Sequence, residues 1–419
     1  MKEKIHECID HPDRLEQLYQ SDKKGFTIAF LDLYPEIARH DVAGFWKVRL
    51  DYANQKTAKV QAGKVDIIRL VMACVFTGLL IKIPQLFGFD PEASFFYEKN
   101  AALVVFFGLS FYAFLSRKVF ETWQAVSVLL LFGLTAVYIN VLPAHSGSDS
   151  IELVYIHLPL MLWCLYGLVF IDFRLKDRSL RMDFIKHNGD LVVLGAVILI
   201  AGGLLAGITL GLFYAIDLRI EQFYFDYVII WGLVSVPIVA TFILRTYPNV
   251  ASKIAPIIAR IFTPLVLVTL VVYLISIAVT GKDPYNDRDF LIVFNLMLLG
   301  VMALVVFSVS ETSDDKKQRF NEAILLALTV VTLLINLVAL SAILYRLGEY
   351  GFTPNRIAVL GSNLLVFGNL ILIMVDLYRI NFKNADIKKV EQTISAYLPV
   401  YTFWTIFMVF VLPWLIGFR

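Results

Sequence analysis

Eleven long apolar runs separated by short charged stretches constrain this chain more than any other feature. They cover residues 67–87, 101–115, 124–142, 153–172, 191–216, 226–244, 258–279, 290–310, 322–345, 357–377 and 397–416, and the short second run extends back towards Phe95. Crossing a bilayer as a helix takes about 20 mostly apolar residues. Lipid cannot satisfy an open backbone, and the alternating stretches of a membrane barrel, about ten residues each, are missing, so helices are the economical reading. Hydrophobic residues make up 58% and charged residues 17% of the 419, against roughly 45–50% and about 25% in soluble domains. That balance excludes a soluble enzyme, a disordered chain and a nucleic-acid binder. The expected fold is an all-α polytopic transmembrane helix bundle of about eleven spans over residues 67–419. A small helical region, residues 1–66, precedes it.

Lys and Arg in the loops set the expected orientation. Seventeen fall in one set of loops, from Arg117 and Lys118 to Lys388 and Lys389, and seven in the other, including Lys99, Arg346, Arg356 and Arg419. The tail adds eleven to the first set. The alternation predicts a cytoplasmic N-terminus and an external C-terminus. The first apolar run starts too far along for a cleavable signal peptide, so the first span is expected to act as its own insertion signal. Trp123, Trp404 and Trp414 fall near span ends, as interfacial anchors do. Trp163 and Trp231 sit deeper and are expected to pack.

In the tail, Phe26, Phe30, Leu33 and Ile37 repeat at helical spacing, and Val42, Phe45, Trp46, Arg49 and Leu50 repeat again. Two or three short amphipathic helices are expected there, with Pro35 starting or breaking one. Such a region serves either as a docking module for a protein partner or as a helical cap. His6, Cys8 and His11 are too weak a pattern to predict a metal, and Cys8, Cys74 and Cys164 suggest no disulfide. No metal site and no cofactor is expected.

Polar side chains inside spans are rare and frequently functional. Lys82 lies in the outer half of span one beside Pro84, where it either binds an anion or carboxylate or snorkels outward. Asn140 ends span three, His157 lies in span four before Pro159, and Asn295 lies in span eight. Each can line a polar cavity, and each asparagine, with Asn336, Asn363 and Asn369, can equally make an interhelical hydrogen bond. Asp172, Glu311 and Asp376 end spans beside basic residues and read as interfacial ion pairs. Gly203, Gly207 and Gly211 form a small-residue stripe expected to pack a neighbouring helix. Spans seven and nine share Val-Thr-Leu-x-x-x-Leu, and spans eight and ten share Asn-Leu-x-x-x-Gly, as a duplicated hairpin would. There is no phosphate-binding Gly-x-x-x-x-Gly-Lys-Ser/Thr, no His-Glu-x-x-His and no Gly-x-Ser-x-Gly.

The turn Tyr350-Gly351-Phe352-Thr353-Pro354-Asn355-Arg356 lies between two spans. With the tail segments Leu18-Tyr19, Asp22-Lys23-Lys24, Leu33-Tyr34-Pro35-Glu36 and Phe45-Trp46, it resembles a bacterial multi-pass family, the domain-of-unknown-function 4153 family. The resemblance implies a bacterial inner-membrane protein and supplies no activity or catalytic residue. In the turn itself Gly351 permits an unusual backbone angle, and Arg346, Glu349 and Arg356 flank it. Arg356 either binds an anion or helps form a rigid hairpin turn.

Three functions remain open. A permease-like or channel-like bundle would use an outward-facing polar cavity with Lys82, Asn140, His157, Asn295, Arg346, Glu349 and Arg356 as substrate-binding residues. A membrane sensor or scaffold would dock partners through the tail. An envelope- or lipid-modifying enzyme is third, without a recognisable catalytic pair. The lipid bilayer is the one partner every reading requires.

Overall fold

The computed structural model describes all residues except 10, 38–39, 59–63, 89, 92–94, 118–120, 144–146, 215–218, 248–262, 273, 276–278, 280–284, 286–287, 311–318, 384 and 419. For residues 3, 21, 23–24, 51–58, 208, 211–214, 288–297, 310 and 319–320 it describes the backbone alone. All regular structure among the described residues is helical. The chain forms two compact units, Met1–Ile67 and Ile68–Arg419.

Among the described residues the first unit holds four helices, α1 (Lys2–Glu7), α2 (Pro12–Ser21), α3 (Lys23–Ile37) and α4 (Asp41–Ala58). That is more than the two or three expected, because six-residue α1 is too short to show a period. Phe26, Phe30, Leu33 and Ile37 form one buried stripe on α3, closed by Ile5, Leu15, Trp46 and Leu50 from the other helices. Trp46 sits among the rings of Tyr19, Phe26 and Phe30, at 5.3, 5.0 and 6.4 Å. Pro35 lies in the last turn of α3, where the missing N–H weakens the helix only two residues before its end.

The second unit begins within α5 (Lys64–Ile81), followed by α6 (Ile83–Phe87), α7 (Phe96–Leu115), α8 (Thr122–Val141), α9 (Asp149–Phe170) and α10 (Arg178–Tyr214). Then come α11 (Glu221–Thr246), α12 (Thr263–Val272), α13 (Arg288–Ser310), α14 (Arg319–Tyr350), α15 (Pro354–Lys383) and α16 (Lys388–Ile416). Eight helices among the described residues, α7–α11 and α14–α16, are long and apolar enough to cross a membrane. The chain is therefore an integral membrane protein in character. Helices α5, α12 and α13 occupy the other three expected runs, the described apolar parts of the last two being shorter.

Helix α10 is continuous over 37 residues, about 55 Å long and well beyond a hydrocarbon layer of roughly 30 Å. The expected span at 191–216 is only its later part. The earlier part carries Arg178, Arg181, Asp183, Lys186 and Asp190 and packs through Met182, Phe184 and Ile185. Its apolar window is only 6% buried, the surface of a helix that meets hydrocarbon.

Close packing elsewhere depends on particular glycines. A Cβ at Gly78 would lie 1.9 Å from the Trp231 ring, and one at Gly361 would lie 1.9 Å from the Trp404 ring. Trp404 is thus wedged between helices rather than placed as a free interfacial anchor, whereas Trp123 and Trp414 stay exposed. Trp231 and Trp163 do pack, the first donating to Cys74 O at 3.2 Å and the second to Asn188 Oδ1 at 2.9 Å.

Candidate polar site at the break of the first span

The apolar run 67–87 is two helices. Pro84 has no N–H and its ring would clash with the Leu80 carbonyl, so an unbroken helix is disfavoured there. Helix α5 stops at Ile81, Lys82 adopts φ −99° and ψ 7°, and α6 restarts at Ile83 and ends on left-handed Gly88. This break places the Lys82 side chain in the protein, 3% exposed, rather than snorkelling to a surface. Its Nζ has no hydrogen-bond partner among the described residues. The ammonium stands 5.0 Å from the centre of the Tyr227 ring, and the Asp226 carboxylate acts on it electrostatically. Tyr227 and Asp226 belong to a wide, π-helical stretch of α11, Tyr224–Ile229. Such stretches insert an extra residue into a helix and recur at functional sites.

One turn along α6, Gln85 donates from Nε2 to Tyr97 Oη at 3.1 Å, while its Oε1 is buried with no partner among the described residues. Tyr97 opens α7, and the next residues continue the polar patch. Lys99 is 5% exposed and donates to Leu142 O at 3.3 Å. Asn100 and Asn140 bond each other reciprocally, at 3.1 and 2.8 Å. This end of the bundle, where α5 and α8 finish and α7 begins, is called the upper end below.

The expected site residues do not form one cluster. Gln85 bonds Tyr97 and Asn100 bonds Asn140, with Tyr97 and Asn100 on one face of α7, and no hydrogen bond joins Lys82 to this patch among the described residues. His157 is buried on α9, its Nδ1 2.8 Å from Leu153 O one turn back. Arg356 donates from Nη1 to Tyr350 O and Gly351 O, both at 2.7 Å, and lies against the Tyr350 ring. The first of these carbonyls ends α14 and the second follows it, where a cation also complements the helix dipole. Gly351 takes φ +74°, the left-handed angle the turn requires. Arg346 is half-buried and Glu349 exposed. The side chain of Asn295 and the surroundings of Gly211 lie outside what the structure describes. Gly203 and Gly207 have nothing within 4 Å of where a Cβ would stand. Asn336 donates to Asn363 O at 3.3 Å and Asn369 to Tyr401 Oη at 3.0 Å, both between helices.

The opposite, lower end is held by charge. Arg117 pairs with Asp172 at 3.0 Å and donates to Val169 O, and Gln124 donates to Asp172 at 3.3 Å. Burial pushes the Arg117 guanidinium below its ordinary pKa, and the Asp172 carboxylate opposes the shift. Lys186 pairs with Glu391 at 3.0 Å, and Asp376 accepts from Thr393 at 2.6 Å and pairs with Arg379 at 3.3 Å. Asp172 thus takes a partner from the loop between α7 and α8 rather than from the basic residues that follow it, and Glu311 lies outside the described residues.

The sequence does not single out Lys99, Gln85 and Tyr97 as site residues. Lys99 shows a signal only if span two is begun at Phe95, which puts the lysine within the helix. Gln85 and Tyr97 are ordinary polar residues until tertiary contact joins them. Fold and site together define the class, a multi-pass helical membrane protein with a buried cation beside a broken helix. Comparison with protein-family models, with curated proteins and with solved structures finds no match to this chain.

Proposed function

We propose that the chain is a permease-like protein of a bacterial inner membrane, related to the domain-of-unknown-function 4153 family and using the upper-end polar patch as a solute-facing cavity. Eleven spans, a cytoplasmic N-terminus and an external C-terminus complete the reading. The observation that carries it is the break between α5 and α6, with Lys82 buried beside a π-helical turn. Discontinuous helices in transporters expose backbone and polar groups to a substrate at such breaks. The ion pairs at the lower end suit the basic, cytoplasmic face.

Cysteine accessibility tests this. Cys8, Cys74 and Cys164 are replaced, and single cysteines are placed at Gln85, Tyr97 and Asn140 in sealed, right-side-out vesicles. A membrane-impermeant maleimide should label all three from outside within minutes. Labelling only after detergent, or only from inside, would contradict an outward-facing cavity.

A second reading has its own observation. A cleft of about 490 Å³ in the first unit is lined by Asp13, Asp41, Phe45, Trp46 and Arg49 among others. Phe45 is 66% exposed there. A scaffold docking a partner through this cleft predicts that Phe45→Ala abolishes co-purification of one stoichiometric protein. Recovery of the same proteins with either chain would count against it.

A further inference from the structure

The upper-end site holds two buried polar atoms of opposite character, one turn apart. Lys82 Nζ is a cationic donor and Gln85 Oε1 a neutral acceptor, and neither has a hydrogen-bond partner among the described residues. Lys82 precedes α6 and Gln85 is three residues on, a spacing that sets side chains on the same side of a helical turn. Leaving a buried ammonium or amide oxygen unmet is unfavourable, so such pairs of atoms mark places where an occupant completes the bonding. We infer that Lys82 and Gln85 bind a singly charged oxyanion, phosphodiester or carboxylate, that carries a hydroxyl or ammonium donor beside it.

The charge follows from the neighbours. One ammonium faces the site, with Asp226 acting on it from α11 and no second cation in contact with it among the described residues. A doubly charged phosphate would face Asp226 with only one compensating charge. Lys82 and Asp226 already cancel, so a monoanion leaves the site with one net negative charge and a doubly charged phosphate leaves it with two, which favours the smaller charge. The donor requirement follows from Gln85, whose amide nitrogen is already held by Tyr97 Oη and whose oxygen therefore remains the accepting atom. The Tyr227 ring face, 5.0 Å from the ammonium, favours its charge without supplying an oxygen acceptor. Two sources share this chemistry: a phospholipid headgroup bearing glycerol or ethanolamine, and a soluble hydroxy or amino acid.

The inference rests on the cavity reading above but fails separately from it. Cysteines that label while no oxyanion binds would leave the cavity and remove its assigned ligand. The test uses the full chain in mild detergent, followed by native mass spectrometry. Phosphatidylglycerol, phosphatidylethanolamine and phosphatidylcholine are added in turn, then lactate and glycine. Phosphatidylcholine, whose headgroup has no donor, is the reference. Binding of a donor-bearing lipid at 1:1, at least about tenfold tighter than phosphatidylcholine, identifies a lipid headgroup as the occupant. The same for lactate or glycine identifies a solute. In both cases Lys82→Met should abolish the binding, Lys82→Arg should restore it within a few-fold, and Gln85→Leu should erase the preference for donor-bearing ligands. Folding of each variant is checked by its helical circular dichroism and a single gel-filtration peak. Equal binding of all ligands, binding unchanged in folded Lys82→Met, or an amine bonded to water alone would overturn the inference.

Discussion

Lys82 and Arg356 are both cations at the upper end, and their surroundings separate them. Arg356 already holds two carbonyls where α14 ends, so its role is to fix a turn. Arg356→Ala should therefore destabilise the protein by about 1 kcal/mol, the usual scale for such hydrogen bonds, and leave ligand binding unchanged. Thermal unfolding followed by tryptophan fluorescence checks the first half, and the mass-spectrometric titration checks the second. Among the described residues Lys82 meets the Tyr227 ring face and the charge of Asp226 but no hydrogen-bond acceptor. Keeping a charge buried without an ion-pair or hydrogen-bond partner is costly, and an apolar side chain of similar volume removes that cost. Lys82→Met should melt at or above the wild-type temperature while losing its ligand. A large drop in melting temperature would make Lys82 a structural residue. The sequence exposes Lys82 because a lysine within an apolar run is conspicuous. It does not distinguish Lys82 from Arg356, since the distinction depends on which acceptors lie within reach.

At the scale of elements, the periodicity of apolar residues locates helices well and describes their interruptions poorly. Pro84 signals a disturbance in span one, yet only the structure shows a stop at Ile81 and a restart at Ile83. The π-helical stretch at Tyr224–Ile229 has no sequence signal comparable to a proline. Helix α10 runs back to Arg178 because charged residues there are compatible with a helix, although hydropathy alone ends the span near Leu191. The site depends on close contact between α5 and α11, where Gly78 admits the Trp231 ring. Gly78→Ala must displace that ring, and overpacking of this kind costs about 1–3 kcal/mol. Its melting temperature should fall and its ligand affinity should fall with it. Unchanged values for both would show that α5 and α11 can separate without consequence. Pro84→Ala should let α5 continue through Lys82 and weaken binding without reducing helical content by circular dichroism.

For the whole molecule, the proposed eleven spans are an odd number, which predicts the two termini on opposite sides of the membrane. Alkaline phosphatase fused after Arg419 should be active and green fluorescent protein fused there dark. The same fusions before Met1 should give the reverse. Matching results at both ends would require an even number of spans. Membrane character and the presence of two units are legible from composition and from where charge is concentrated. The contacts that join Gln85 to Tyr97 and Asn100 to Asn140 are not, because each links residues on different helices.

The claim on which the account depends is that the Lys82 site is built for an occupant. Single-particle electron microscopy of the full chain in nanodiscs of phosphatidylglycerol and phosphatidylethanolamine tests it most directly. The account predicts density bridging Lys82 Nζ and Gln85 Oε1 in the wild type and none in Lys82→Met. A Lys82 ammonium bonded directly to Asp226, with no density between it and Gln85, would contradict it.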